Sequence, residues 1–379
     1  MYLDNAATTR VDPSVAEAVL SAMTEDFGNP SSAHRLGARA ASLLENARER
    51  VARSLSAAPS ELTFTSGGTE ANALGFLGVA QSARAASGRE KHVVVSGLEH
   101  PSIAEAARML GQRGLRVTTI APDRTGMISV EAAQAAIEPD TVACAIAWVQ
   151  NEIGTVQPVF EIARAFKARA PRCHVHIDAV QALGKLPIDV NAGPIDSLSL
   201  SAHKIHGPKG VGALWSAKRA RVQSLFYGGE QEHGLRPGTE NVPGIVGFGV
   251  AAELADRSRV QAVPQMVELR EQLWNGISSR LPRAIRHGDA KHSAPHILSV
   301  GFSGFTAEPL LHALEAEGVW ASAGSACHAR SRKPSAVLKA IGVADDVATL
   351  RFSLSRHTSS HEIALTIERL ERALAAVRQ

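Results

Sequence analysis

Val142-Ala143-Cys144-Ala145-Ile146-Ala147-Trp148-Val149, His174-Val175-His176-Ile177-Asp178 and Ser197-Leu198-Ser199-Leu200-Ser201 are the runs that decide the fold class. Each has the length of a strand, and the amphipathic stretch 159–168 between the first two is long enough for the crossover helix that parallel neighbours need. The same alternation extends outward from Glu61 to about Ser216, with further strands expected at 62–65, 92–96, 116–120 and 210–215 and helices at 101–110 and 130–137. Strands alternating with helices mark an α/β unit, a mostly parallel sheet flanked by helices. After about Gly249 the pattern changes to a long helical run through Arg280, strands near 296–302 and 350–354, and a charged terminal helix at 361–378. That part reads as a smaller α+β unit. The expected division is a large unit over 14–249 and a small one formed by 1–13 and 250–379. No fixed-period repeat or low-complexity tract interrupts it, and the Ala-rich segments 38–41 and 83–86 fit ordinary helices.

The chain of 379 residues, 45% hydrophobic, exceeds the size at which one core stops growing, which agrees with two units. Forty basic against 37 acidic residues leave a formal net charge of +3, too small a surplus to suggest direct nucleic-acid binding. Three cysteines, Cys144, Cys173 and Cys327, are no disulfide framework and point to a reducing compartment. Met1-Tyr2-Leu3-Asp4-Asn5 has no basic region followed by an apolar one, and no apolar run approaches the ~20 residues of a membrane span, so a cytoplasmic protein is expected.

Ligands of an open parallel sheet sit beyond the carboxyl ends of its strands. The strand at 62–65 runs into Ser66-Gly67-Gly68-Thr69-Glu70, where two glycines let backbone approach an anion and Thr69 opens a helix; Gly-Gly-Thr is equally a common way to start one. Asp178 ends an apolar strand, either as a partner for a protonated ring nitrogen or as a helix cap, and Gln181 follows about a turn later. Lys204 lies in Ala202-His203-Lys204-Ile205-His206-Gly207-Pro208-Lys209-Gly210, one strand-helix-strand unit further on. A lone loop lysine is usually just solvated. Adjacent strand ends that offer an acid, an amine and a phosphate cradle are, however, the parts pyridoxal phosphate requires: a lysine for the Schiff base and an acid for the pyridinium nitrogen. A zinc site at Cys173, His174 and His176 is disfavoured, because strand alternation puts Cys173 on the opposite face from the two histidines.

Leu3-Asp4-Asn5-Ala6-Ala7-Thr8-Thr9, Gly28-Asn29-Pro30-Ser31-Ser32, Thr65-Ser66-Gly67-Gly68-Thr69-Glu70, Asn151-Glu152-Ile153-Gly154, Ser201-Ala202-His203-Lys204, Arg236-Pro237-Gly238-Thr239-Glu240-Asn241 and Gly324-Ser325-Ala326-Cys327 occur in that order. Together, from residue 2 to about 372, they resemble the class V aminotransferase group, and within it the cysteine desulfurases of iron-sulfur cluster assembly. The resemblance implies the fold type I pyridoxal-phosphate architecture and a homodimer. His100 would lie over the cofactor ring, Asp178 would pair with its nitrogen, Gln181 would bond its phenolic oxygen, and Lys204 would hold it covalently. Gly68, Thr69, Ser201 and His203 would hold the phosphate, with Thr239 reaching in from the second subunit. Asn151 and Arg351 would bind the carboxylate of L-cysteine, for which a guanidinium fork is suited. His100 and Lys204 would move protons, and Cys327 would take the sulfur as a persulfide for a sulfur-acceptor protein such as an iron-sulfur scaffold.

Cys327 sits in a small-residue then basic stretch that reads as an exposed loop, where nearby cations would favour thiolate; Cys144 and Cys173 read as buried, inert thiols. Three features depart from the commonest pattern. Gln150 stands where a second Asn is usual, His328, Arg330, Arg332 and Lys333 replace small, polar or acidic residues, and the chain stops soon after its terminal helix. Ser-Ala-Cys-His and Arg-Pro-Gly-Thr-Glu-Asn also resemble selenocysteine lyases, the nearest alternative. An aminotransferase would need no thiol, and a non-catalytic assembly subunit would not need both Lys204 and Asp178.

Overall fold

The computed structural model describes residues 1–87, 91–324 and 335–377. Among them, seven strands form one sheet: β1 (Leu62–Thr65), β2 (His92–Ser96), β3 (Arg116–Ile120), β4 (Thr141–Ala147), β5 (His174–Asp178), β6 (Ser197–Ser201) and β7 (Gly212–Ser216), in the order β1-β7-β6-β5-β4-β2-β3. From β3 to β6 every pairing is parallel, whereas β7 runs antiparallel to both β6 and β1. The cause is chain length: the short connection from Ser201 to Gly212 has no room for a crossover helix, so the chain returns beside β6 in the opposite sense. Both faces of the sheet are covered. Val93, Val95, Ala143 and Ala145 pack with Phe76, Ile103 and Leu110 on one side, while Val94, Cys144, Ile146 and Val175 pack with Ile162 and Phe166 on the other. This period-2 division of fully buried strands explains why the runs read as continuously apolar.

A second sheet, also among the described residues, has β8 (Ala284–His287), β9 (Ile297–Ser303), β10 (Ser322–Ala323) and β11 (Val347–Ser353) in the antiparallel order β10-β11-β9-β8. Leu298, Val300 and Phe352 from this sheet meet Leu310 of the helix Ala307–Ala316 and Leu370 of the helix Ser360–Val377 in a separate core. The N-terminal segment joins it. Leu3 N–H donates to Trp320 O at 2.8 Å, Ser353 N–H donates to Leu3 O at 2.6 Å, and the Leu3 side chain is buried in that core.

One helix, Val242–Arg280, serves both cores: Ile245, Phe248 and Ala252 pack under the large sheet, Leu273 and Ile277 under the small one. It starts earlier than the expected run and passes through position 249 without a break. Gly244, Gly247 and Gly249 hide its onset, since glycine weakens a helical pattern. Packing requires at least the last of them, because a Cβ on Gly249 would lie 2.7 Å from Ala47 Cα on the helix Arg35–Arg53. No helix among the described residues is long and apolar enough to cross a membrane.

Candidate active site

β5 and β6 are parallel neighbours, with Asp178 paired to Ser199, so their carboxyl ends open onto one edge. Lys204 follows β6 in a single 3-10 turn, Ala202–Lys204. Its Nζ donates to the carbonyls of Ala6 at 2.6 Å and Ala7 at 2.7 Å, and Gln181 Nε2 donates to the same Ala6 carbonyl at 2.9 Å. The N-terminal motif therefore floors the site. Lys185 Nζ donates to the backbone carbonyl of Lys204, and burial, with Lys204's charge adding, pushes the Lys185 ammonium down to about 7. Past Lys204 the backbone turns at His206 with φ +67°, rare for a residue with a Cβ. Two bonds hold that shape: His206 N–H to Thr9 Oγ1 at 2.8 Å, and His206 Nδ1 to Arg10 O at 2.9 Å.

His100 caps the helix Pro101–Gln112, its Nδ1 accepting from Ser102 N–H at 3.2 Å and from Ser102 Oγ at 2.8 Å. Capping and site proximity go together here. Burial depresses the imidazole pKa, the Asp178 carboxylate opposes that shift and the Lys204 ammonium reinforces it, so His100 lies within the fields of both. Asp178 is buried and held by neutral donors, Asn72 Nδ2 on Oδ2 at 2.7 Å and Val180 N–H on Oδ1 at 3.0 Å. Beside it Glu99 is buried. Ala147 N–H donates to its Oε1 at 2.9 Å, Oε2 has no partner among the described residues, and burial raises its pKa to about 8.

Gly68 opens the helical stretch after β1, and a Cβ there would come 2.6 Å from Val180 Cγ2 and 3.7 Å from Ser201 Cβ. Glycine thus lets the start of this helix lie against the loop after β5 and the end of β6, with Thr69 exposed beside it. His203 Nδ1 is 3.1 Å from Thr8 Oγ1, and burial, aided by the charges of Lys204 and Lys209, lowers its pKa to about 4. Thr239 is exposed, in a segment tied to the same helix start by Arg236 Nε on Glu70 Oε1 at 3.1 Å.

Arg351 comes from β11 and is 1% exposed. Its Nη1 donates to the carbonyl of Asn151 at 2.9 Å and its Nη2 to Asp4 Oδ1 at 2.7 Å, while Nε is buried without a partner among the described residues. Gln150, which departs from the usual Asn, is buried and supports its neighbour's turn: its Oε1 accepts from Ile153 N–H at 3.0 Å and its Nε2 lies 3.4 Å from Asn151 Oδ1.

The chain matches the family model "Aminotransferase class-V" over residues 1–365. It is 40% identical to the cysteine desulfurase IscS of Escherichia coli (strain K12 / DH10B) over 385 residues, covering 100% of this chain and 93% of that protein. It belongs to the class-V aminotransferase family, among its cysteine desulfurases. A solved NifS-like protein superposes on this class-V chain with TM-score 0.92 at 34% identity, covering 99% of each chain. A structure described as SspA in complex with cysteine does so with TM-score 0.82 at 34% identity, covering 94% of this chain and 99% of the other.

In this class-V chain the fold brings His100, Asp178, Gln181 and Lys204 to one edge, and Asn151 to Arg351. Cys327, with His328, Arg330, Arg332 and Lys333, lies outside the described residues. Cys144 and Cys173 are both fully buried, and burial, followed by the Cys173 contact, pushes the Cys144 thiol well up. His174 and His176 share Ser197 Oγ, at 2.7 and 2.8 Å. Sequence reading gave no role to Asp4, Asn72, Glu99 or Lys185. Two of these had a visible signal: Asn72 follows Thr69 by one helical turn, and Asp4 stands within the quoted N-terminal motif.

Proposed function

We propose that this class-V family member is a pyridoxal 5'-phosphate-dependent cysteine desulfurase, converting L-cysteine to L-alanine and passing the sulfur to Cys327. The observation that carries this reading is the convergence of Lys204, Asp178 and His100 beyond β5 and β6, in a chain that also brings Arg351 to Asn151 and contains Gly324-Ser325-Ala326-Cys327. The name of the Escherichia coli relative and the cysteine in the SspA structure support the same substrate.

The residues fit the cofactor. Gly68 is a cradle that a Cβ would fill, Lys204 supplies the amine, and Asp178 is a buried carboxylate held by neutral groups, suited to a cationic ring nitrogen. Gly68, Thr69, Ser201 and His203 would hold the phosphate, Gln181 the phenolic oxygen, and His100 would cover the ring. When bound, pyridoxal phosphate supplies the electron sink that lets the substrate lose its α-proton. Lys204 and His100 then carry protons, and burial together with the Lys204 charge keeps His100 neutral beforehand. Arg351, with a free Nε–H beside Asn151, orients the substrate carboxylate. The Cys327 thiolate attacks the substrate sulfur, the substrate's carbon–sulfur bond breaks, and a persulfide remains on Cys327 while alanine leaves.

The working unit in this reading is a homodimer, with Thr239 completing the partner subunit's phosphate site. Support comes from the exposure of Thr239 and of Leu20, Met23, Phe27, Phe226 and Tyr227, large apolar side chains that a lone subunit would leave in water. The acceptor of the persulfide would be a protein such as an iron-sulfur scaffold, and the compartment the cytoplasm. The division into 14–249 and 1–13 with 250–379 belongs to the same proposal, with Arg351 coming from the smaller unit and Lys204 from the larger. Purified protein given L-cysteine and a reductant should release alanine and sulfide in equal amounts, and Lys204→Ala should release neither. A keto acid in place of alanine would contradict the assignment, and faster turnover of selenocysteine than of cysteine would favour the lyase.

A further inference from the structure

Behind Asp178 lies a chain of polar groups, Asn72, His176, Ser197 and His174, that the chemistry above does not use and that reaches His100 through Ser102. Asn72 Nδ2 reaches Asp178 Oδ2 at 2.7 Å and Ser102 Oγ at 2.9 Å, and Ser102 Oγ is 2.8 Å from His100 Nδ1. On its other side, Asn72 Oδ1 is 2.9 Å from His176 Nε2. His176 Nδ1 is 2.8 Å from Ser197 Oγ, which is 2.7 Å from His174 Nε2. Asn72, His176 and Ser197 are at most 1% exposed. Strand alternation produces half of this arrangement, since His174, His176 and Asp178 share one face of β5.

The donor and acceptor inventory leaves one arrangement of protons. Asn72 must direct its amide nitrogen at Asp178, because the flipped side chain would set a carbonyl oxygen 2.7 Å from a carboxylate. Its Oδ1 then only accepts, so His176 carries its proton on Nε2 and has a bare Nδ1. Ser197 donates to that nitrogen and accepts from His174 Nε2–H. At the other end the second Asn72 N–H goes to Ser102 Oγ, whose hydroxyl donates to His100 Nδ1, leaving the His100 proton on Nε2. Burial pushes His174 to about 4 and His176 to about 3, which keeps both neutral as this order requires. The backbone is shaped to admit the ring: Ala73–Gly78 winds as a π-helical turn, and a Cβ on Gly75 would lie 2.6 Å from His176 Nδ1.

We propose that Asn72 is a positioning residue, locked by His176 and Ser197, whose single amide group fixes the Asp178 carboxylate and, through Ser102, the proton position of His100. The part concerning catalysis rests on the cofactor reading above; the proton order does not.

Two measurements therefore separate the readings. In protein labelled with nitrogen-15 in its histidine rings, without added cofactor and at neutral pH, His100, His174 and His176 should all be neutral with the proton on Nε2. A His176 protonated on Nδ1 overturns the proposal whatever the protein's activity. In the cofactor-loaded enzyme, Asn72→Ala and His176→Leu should shift the visible absorption maximum and lower kcat at least tenfold with KM for cysteine little changed. His176→Gln, which can still donate to Asn72 Oδ1, should restore most of both. The double variant should be no worse than Asn72→Ala alone, as expected for members of one network. Wild-type spectra in both single variants, or losses that add, would overturn the relay. Should Asn72→Ala not fold, Ser197→Ala carries the same test, since it removes one hydroxyl, leaves His176 Nδ1 without its donor and so loosens the ring that holds Asn72. Failure of the wild-type protein to take up pyridoxal phosphate would instead refute the cofactor reading and leave the tautomer test standing.

Discussion

Arg351 Nη2 and Asp4 Oδ1 lie 2.7 Å apart, joining the small antiparallel sheet to the N-terminal motif. Asp4 offsets a cation that is 1% exposed, and with the Asn151 carbonyl it sets the plane of the guanidinium; in the proposed reading its remaining Nε–H meets the substrate carboxylate. Arg351→Lys keeps the charge and loses the fork, so KM for cysteine should rise about tenfold, the value of one charge-assisted hydrogen bond. Asp4→Asn should lower stability by about 1–3 kcal/mol, because it leaves the buried guanidinium without its counter-charge. Steady-state kinetics and urea unfolding check the two. An unchanged KM in Arg351→Lys would contradict the assigned role.

Glu99 makes the fold sensitive to pH in a definite direction. Its folded pKa, raised by burial to about 8, exceeds the ordinary 4.5 of an exposed glutamate. Between these values the unfolded chain has released a proton that the folded protein still holds, so stability falls as pH rises. Glu99→Gln keeps the shape and removes the ionisation. The variant should therefore gain on the wild type as pH is raised from 5 to 8, with the difference in Tm widening by at least about 2 °C. Parallel Tm curves for the two proteins would show that Glu99 is ionised in the fold.

If Thr239 acts in trans, two damaged chains can repair each other. A mixed dimer of Lys204→Ala and Thr239→Ala subunits then contains one intact site, formed by Lys204 of one chain and Thr239 of the other. Co-purified mixed dimers, selected with two different tags, should retain more cofactor and turn over faster than Thr239→Ala homodimers. Equal or lower activity would place Thr239 in its own subunit's site.

The architecture was legible where the chain is simplest. Apolar runs closed by turn residues marked β1 to β6 within a residue or two, because strands buried on both faces have little else in their sequence. The antiparallel return of β7, the short strands β8 and β10, and the glycine-masked start of the helix Val242–Arg280 were not legible, since each depends on connection length or packing rather than on local pattern. In the site, the rule that ligands lie beyond strand ends singled out Asp178 and Lys204, and the fold sets both on one edge. Asn72, Ser197 and Asp4 escaped notice because they work through another side chain, and nothing local announces a partner 106 residues away, as between Asn72 and Asp178. His174 and His176 show the same limit: their shared face was visible, but the hydroxyl of Ser197 that engages both belongs to the neighbouring strand.

The central claim is that sulfur leaves cysteine through one thiol. It is tested most directly by incubating the loaded enzyme briefly with L-cysteine, trapping thiols by alkylation, and locating the added sulfur atom by mass spectrometry. The account predicts a persulfide on Cys327, none on the fully buried Cys144 and Cys173, and a Cys327→Ala variant that binds cofactor and cysteine yet forms essentially no sulfide. A persulfide on Cys144 or Cys173, or sulfide formed by Cys327→Ala at the wild-type rate, would contradict it.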